Sequence, residues 1–207
     1  MKQIELGRTG LMVSDWCLGT MTFSTQTPAQ DAHRQIDMCL DAGINFLDTA
    51  EMYPVNPMRK GTVGNSERCI ADWLAASGRR DDVVIATKAG GDSALIRGGE
   101  GFSGDNILDV LDGNLDRLGT DYIDLYQLHW PMRGSYCFRQ NWTYDPSGQD
   151  RAAVIDHMSG VLEKLKKAQA AGKIRAFGLS NETAWGTTKW CDLADEHCGG
   201  RVVSALE

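Results

Sequence analysis

The chain has 207 residues, with 21 Lys and Arg against 28 Asp and Glu, giving a formal charge of −7 at pH 7. Hydrophobic residues make up 42% and charged residues 24%, an ordinary globular mix that excludes a disordered or collagen-like chain. The acidic balance disfavours nucleic acid, which is held by Lys and Arg, and no run reaches the ~20 apolar residues that span a bilayer.

In chain order, Lys2 to Leu6 and Leu11 to Ser14 are short alternating runs joined by Gly7-Arg8-Thr9-Gly10, so a β-hairpin is expected over about 1–15. Apolar runs follow at Trp16-Cys17-Leu18, Ile44 to Leu47, Val83 to Ala86, Tyr122 to Leu128, Ile174 to Leu179 and Val202-Val203. Most are near-continuously apolar, as in strands buried on both faces of a parallel sheet. Helical patterns lie between them. The clearest, from about Arg151 to Ala171, carries Val154, Ile155, Met158, Val161, Leu162, Leu165 and Ala168 on one stripe, with Glu163 and Lys167 paired on the polar side. Another, from about Asp105 to Leu118, carries Ile107, Leu108, Leu111, Leu115 and Leu118. Gly43, Gly78, Gly119 and Gly172 each follow a helical pattern, where a residue without Cβ suits the left-handed turn.

Helix, glycine, strand, loop, helix is the order of consecutive βαβ units, here repeating at about 39 residues. The fold class is α/β. Long loops follow two strands, over Glu51 to Asn65 and Pro131 to Asp150, and the second is rich in aromatics. The six cysteines are scattered without a Cys-x-x-Cys pair, and Met1 to Glu5 lack the apolar core of a signal peptide. Reduced thiols and a cytoplasmic location are therefore expected. Cys191, His197 and Cys198 lack a second ligand pair at zinc spacing, so no metal site is expected.

Polar residues collect where strands end. Asp48 closes one strand, Lys88 the next and His129 the next, and Ser180-Asn181 closes the one after. In parallel α/β folds these ends converge on one mouth. Tyr53, five residues past Asp48, lies within reach of it. A free tyrosine titrates near ~10, and a nearby ammonium lowers that value. A carboxylate keeps the lysine charged, and an imidazole orients a carbonyl. Such a set suits protonation of an oxygen as a hydride reaches the adjacent carbon. A lysine at a barrel mouth also suits Schiff-base aldol chemistry, but Asp48 beside Lys88 would keep it protonated. Gly98-Gly99-Glu100-Gly101 lacks the spacing of a Rossmann phosphate motif.

These segments resemble the aldo-keto reductase superfamily. The resemblance rests on Leu18-Gly19-Thr20-Met21, Asn45 through Tyr53, Gly64-Asn65-Ser66-Glu67, Ala86-Thr87-Lys88, Leu115 to Leu118, Tyr122 through Trp130, and Gly172 through Asn181. Ala50-Glu51-Met52-Tyr53-Pro54 and His129-Trp130-Pro131 look most like the Tas-type bacterial branch, related to potassium-channel β-subunits.

The resemblance implies a (β/α)8 barrel of TIM type, closed at its base by the hairpin, and NADPH-linked reduction of aldehydes and ketones. It implies Tyr53 as proton donor, Lys88 and Asp48 tuning it, and His129 orienting the carbonyl. It places Thr20 and Met21 near the nicotinamide ribose, Ser180 and Asn181 on its carboxamide, and Trp130 along the substrate pocket. The single domain is expected to stop at about its sixth strand, since a barrel of this type typically needs ~250 residues. The other reading is therefore an inactive fragment, or a regulatory NADP(H)-binding or structural protein, able to self-associate through open sheet edges.

Overall fold

A computed structural model describes residues 1–138, 140–198 and 205–206. β1 (Gln3–Glu5) and β2 (Met12–Ser14) pair antiparallel, with Gly7 and Gly10 at positive φ in the turn between them. Then come β3 (Cys17–Gly19), α1 (Ala29–Asp41), β4 (Phe46–Asp48), α2 (Asn65–Ser77), β5 (Val84–Ala89), α3 (Ile107–Leu118), β6 (Ile123–Leu128), α4 (Arg151–Ala170), β7 (Ile174–Ser180), α5 (Ala184–Cys198) and β8 (Ala205–Leu206). The hairpin and the alternating units stand where the sequence places them. The periodicity reading did not include α5. The strand read at Val202-Val203 lies outside the described residues; the sixth strand of the sheet described is Ala205–Leu206.

The larger sheet is parallel and ordered β3-β4-β5-β6-β7-β8, with strand order equal to chain order. The helices α1 to α5 lie in the connections between successive strands. That is the winding of a (β/α)8 barrel. Among the described residues the sheet is open, with β3 and β8 at its edges.

The two faces of the strands build two separate apolar layers, because side chains alternate along a strand. Leu47, Ile85, Tyr126, Leu128, Phe177 and Leu179 pack outward with the helices in the main core. Ala86, Leu125 and Ala176 form an inner cluster with Leu11, and Leu6 and Phe46 pack against it. Leu6 and Leu11 flank the hairpin turn, so the hairpin plugs the inner face of the strands. Leu11 is 2% exposed, and burying such a side chain contributes about 1.5–3 kcal/mol.

α4 shows why its segment is helical. Its buried residues Met158, Val161, Leu162, Leu165 and Ala168 recur at three- and four-residue steps, and Glu163 meets Lys167 at 2.6 Å. Asp150 caps it, its Oδ1 accepting from the N–H groups of Ala152 and Ala153. Gly172 ends it at φ 76°. Close approach requires glycine at Gly104, where a Cβ would stand 2.9 Å from the Gly160 backbone of α4.

Candidate active site

Register decides which side chains meet. Asp48, Ala86, Leu125 and Ala176 are cross-strand neighbours at one level. Two residues further along, on the same inward face, Lys88 pairs with Gln127 and Gln127 with Gly178. The inner apolar cluster therefore gives way to polar groups towards the C-terminal ends of the strands.

Lys88 is 2% exposed. Its Nζ donates to Asp48 Oδ2 at 2.6 Å and to the Thr49 carbonyl at 2.8 Å. The same ammonium stands 5.1 Å from the centre of the Tyr53 ring. The His129 ring meets the Tyr53 ring edge-on at 5.7 Å, and Trp130 lies 4.9 Å beyond His129. Asp48, Lys88, Tyr53 and His129, read from four separate stretches of sequence, thus share one small volume.

The remaining sequence-predicted residues frame it. Thr20 is fully buried, and both its N–H and its hydroxyl donate to the Asp48 carbonyl, at 3.0 and 2.9 Å. It anchors the end of β4, while its neighbour Met21 is exposed. Ser180 is buried at the end of β7. Asn181, at φ 53°, donates from Nδ2 to the His129 carbonyl and to Ser180 Oγ, both at 2.9 Å. It ties the ends of β6 and β7 together. Trp130 packs edge-on against Phe138 of the following loop at 5.5 Å.

The electrostatics correct one expectation. Tyr53 is not lowered by the ammonium but pushed up to about 12, first by burial and then by the negative charge of Asp48. The reason is geometric: Asp48 neutralises Lys88 at 2.6 Å, so little positive field remains for the phenol. Burial also lowers Lys88, partly offset by Asp48. His129 is lowered to about 3, by burial and by the Lys88 charge, so it is a neutral imidazole at every ordinary pH.

Gln127 belongs to this site and sequence reasoning passed over it. It is fully buried, and its Nε2 donates to Asp48 Oδ1 at 3.3 Å, so both carboxylate oxygens are engaged. The signal was present: Gln127 is two residues before His129 and so on the same face of the strand. Behind the sheet lies a second polar network. Glu67, fully buried in α2, accepts from Thr87 Oγ1, Asn114 Nδ2 and Arg117 Nε, each at 2.6 Å. Thr87 is the residue before Lys88, so this network fixes β5 from its outer side.

Three buried polar atoms near the mouth have no hydrogen-bond partner among the described residues: Thr49 Oγ1, Gln127 Oε1 and His129 Nδ1. With the Ser180 hydroxyl, they make this end of the strands a polar site rather than an apolar one. Among the described residues no cluster of His, Cys, Asp and Glu could hold a metal ion, and no helix is long and apolar enough to cross a membrane.

A parallel βαβ winding with a hairpin plug, and a lysine, carboxylate, tyrosine and imidazole gathered at its C-terminal mouth, define an α/β barrel winding with a polar site at its rim. Residues 16–203 match the aldo/keto reductase family, and the chain belongs to it. The chain is 41% identical to protein tas of Escherichia coli over 211 aligned residues, which cover 99% of this chain and 59% of that protein. It is 35% identical to the uncharacterised oxidoreductase YrpG of Bacillus subtilis, over 91% of this chain and 52% of YrpG. It is 32% identical to the 6-dehydroglucose reductase of Novosphingobium aromaticivorans, over 86% of this chain and 51% of that enzyme. The chain thus spans a little over half the length of these relatives.

Proposed function

We propose that this chain carries the reduction centre of an NADP(H)-dependent carbonyl reductase, converting an aldehyde or ketone to an alcohol. The carrying observation is the Lys88 ammonium, held between Asp48 and Thr49 and set against the Tyr53 ring, with neutral His129 edge-on to the same ring.

When bound, the reduced nicotinamide supplies the hydride. Ser180 and Asn181 would hold its carboxamide, with Thr20 and Met21 beside the ribose. Neutral His129 donates a hydrogen bond to the substrate oxygen and aligns it with the Tyr53 hydroxyl. Tyr53 keeps its proton until that oxygen gains negative charge, and then transfers it. The Lys88 ammonium, 5.1 Å from the ring centre, holds the Tyr53 ring in place, and Asp48 keeps Lys88 charged and placed. Trp130 walls the substrate side. The substrate is a small carbonyl compound, and neither nucleic acid nor a membrane is required.

The test is turnover of a simple aldehyde with NADPH by the native protein and by Tyr53→Phe. Loss of a positioned proton donor lowers turnover by about 10²–10⁴-fold. Undiminished turnover in the variant overturns the donor assignment. Tight NADPH binding without turnover in the native protein would favour a regulatory binder. The unpaired edges of β3 and β8 are where self-association would occur, and light scattering across a concentration series measures it.

A further inference from the structure

A cavity of about 350 Å³, lined in part by Trp130, lies between the helices and the outward faces of β6 and β7. Leu128 and Leu179 form its sheet wall, Met158 of α4 and Trp190 of α5 its helix wall, and Phe102 and Met132 close it. Asp48, Tyr53, Lys88 and His129 do not line it. It shares only Trp130 and Ser180 with the reduction centre. Its volume falls in the range of small-molecule sites, roughly 300–1,000 Å³.

The lining chemistry narrows the occupant. Its two buried charges satisfy each other: Arg133 donates twice to Glu182, through Nη1 at 2.9 Å and through Nη2, and also to Thr183 Oγ1 at 3.0 Å. Glu182 further accepts from the Trp190 indole at 3.1 Å. Asp150 is spent on the α4 cap, and Gln149 Nε2 on the Arg133 carbonyl and the Tyr144 hydroxyl, both at 2.9 Å. Arg133 and Glu182 thus cancel, and the one charge left over is the Asp150 carboxylate at the α4 cap, so the lining offers no cation to an anionic ligand. His157 also lines the cavity, and its Nε2 is buried with no hydrogen-bond partner among the described residues. Its imidazole is held neutral, by burial and by the Arg133 charge. The rings of Phe102, Trp130 and Trp190 suit a planar body, and the thioethers of Met132 and Met158 adapt around aromatic edges.

We propose that this cavity is a second binding site, distinct from the reduction centre, for a neutral planar aromatic molecule carrying one hydroxyl. The aromatic body fills the space between Leu128, Leu179, Met158 and Trp190, and the hydroxyl pairs with His157.

The probe is 2-naphthol, titrated calorimetrically against the native chain, with 2-naphthoate as its anionic counterpart. Saturable one-site binding of 2-naphthol is expected, with 2-naphthoate at least tenfold weaker. Val154→Trp, which fills the cavity from α4, is expected to weaken 2-naphthol at least tenfold, and His157→Phe about fivefold through the lost hydrogen bond. Ala153→Trp fills the same space from a more exposed position and serves if Val154→Trp unfolds. Absence of binding, or equal affinity for the anion, overturns the proposal. So does unchanged affinity in the cavity-filling variants, which would place the naphthol elsewhere, the Tyr53 mouth included.

Discussion

Neutral, buried His129 makes the fold acid-sensitive in a way that can be calculated. Its imidazole is lowered from 6.5 to about 3 in the folded chain. The unfolded chain takes up this proton as pH falls through about 6.5, while the folded chain refuses it until about 3. Between these values the unfolded state binds more protons, so stability is present above 6.5 and is lost as pH falls. The full interval is worth roughly 5 kcal/mol, and about 2 kcal/mol of it is gone by pH 5. His129→Gln removes the titrating group and keeps a polar side chain of similar reach. Urea unfolding at pH 7.5 and pH 5 should therefore show the native protein losing about 2 kcal/mol more than the variant. Carboxylates and the other histidines titrate in both proteins and cancel. Equal losses would refute the claim that His129 is buried neutral beside Lys88.

Other expectations follow from contacts already described. Glu67→Leu strands Arg117, Thr87 and Asn114 and should cost about 3–5 kcal/mol, read as a drop in urea midpoint at unchanged slope. Asp150→Ala removes the α4 cap and should cost about 1 kcal/mol, with thermal unfolding as the check. At Gly91 a Cβ would stand 2.1 Å from the Trp130 indole nitrogen, so Gly91→Ala must displace that ring; the cost is about 1–3 kcal/mol, and the change in indole fluorescence should vanish in Trp130→Phe. Gln127→Leu removes a donor from Asp48 and loosens the carboxylate that places Lys88; under the proposed chemistry kcat falls while KM changes little, as steady-state kinetics would show.

The division between sequence and structure follows from the range of the forces involved. Hydrophobic periodicity and helix-ending glycines are local, so the alternation of strands and helices was readable, and so was the hairpin. Gly43, Gly78, Gly119 and Gly172 all sit at positive φ as their places required. The candidate residues were readable because parallel winding brings every strand's C-terminal end to one rim. The last unit was less legible. α5 presents Trp190, Leu193 and Ala194 to the core, a short face set among polar residues that its packing on α4 picks out.

What the sequence alone determined is the fold class and the four residues of the mouth, since both depend on order along the chain. Tertiary structure alone decided their electrostatics. Residue types promised a tyrosine lowered by a neighbouring ammonium. The structure instead pairs that ammonium with Asp48 inside a buried site, and a buried phenol beside a carboxylate holds its proton more tightly. Gln127, the Glu67 network behind β5 and the cavity beside Trp130 likewise arise from contacts between distant segments. Such contacts depend on sheet register and helix packing, which no local pattern encodes.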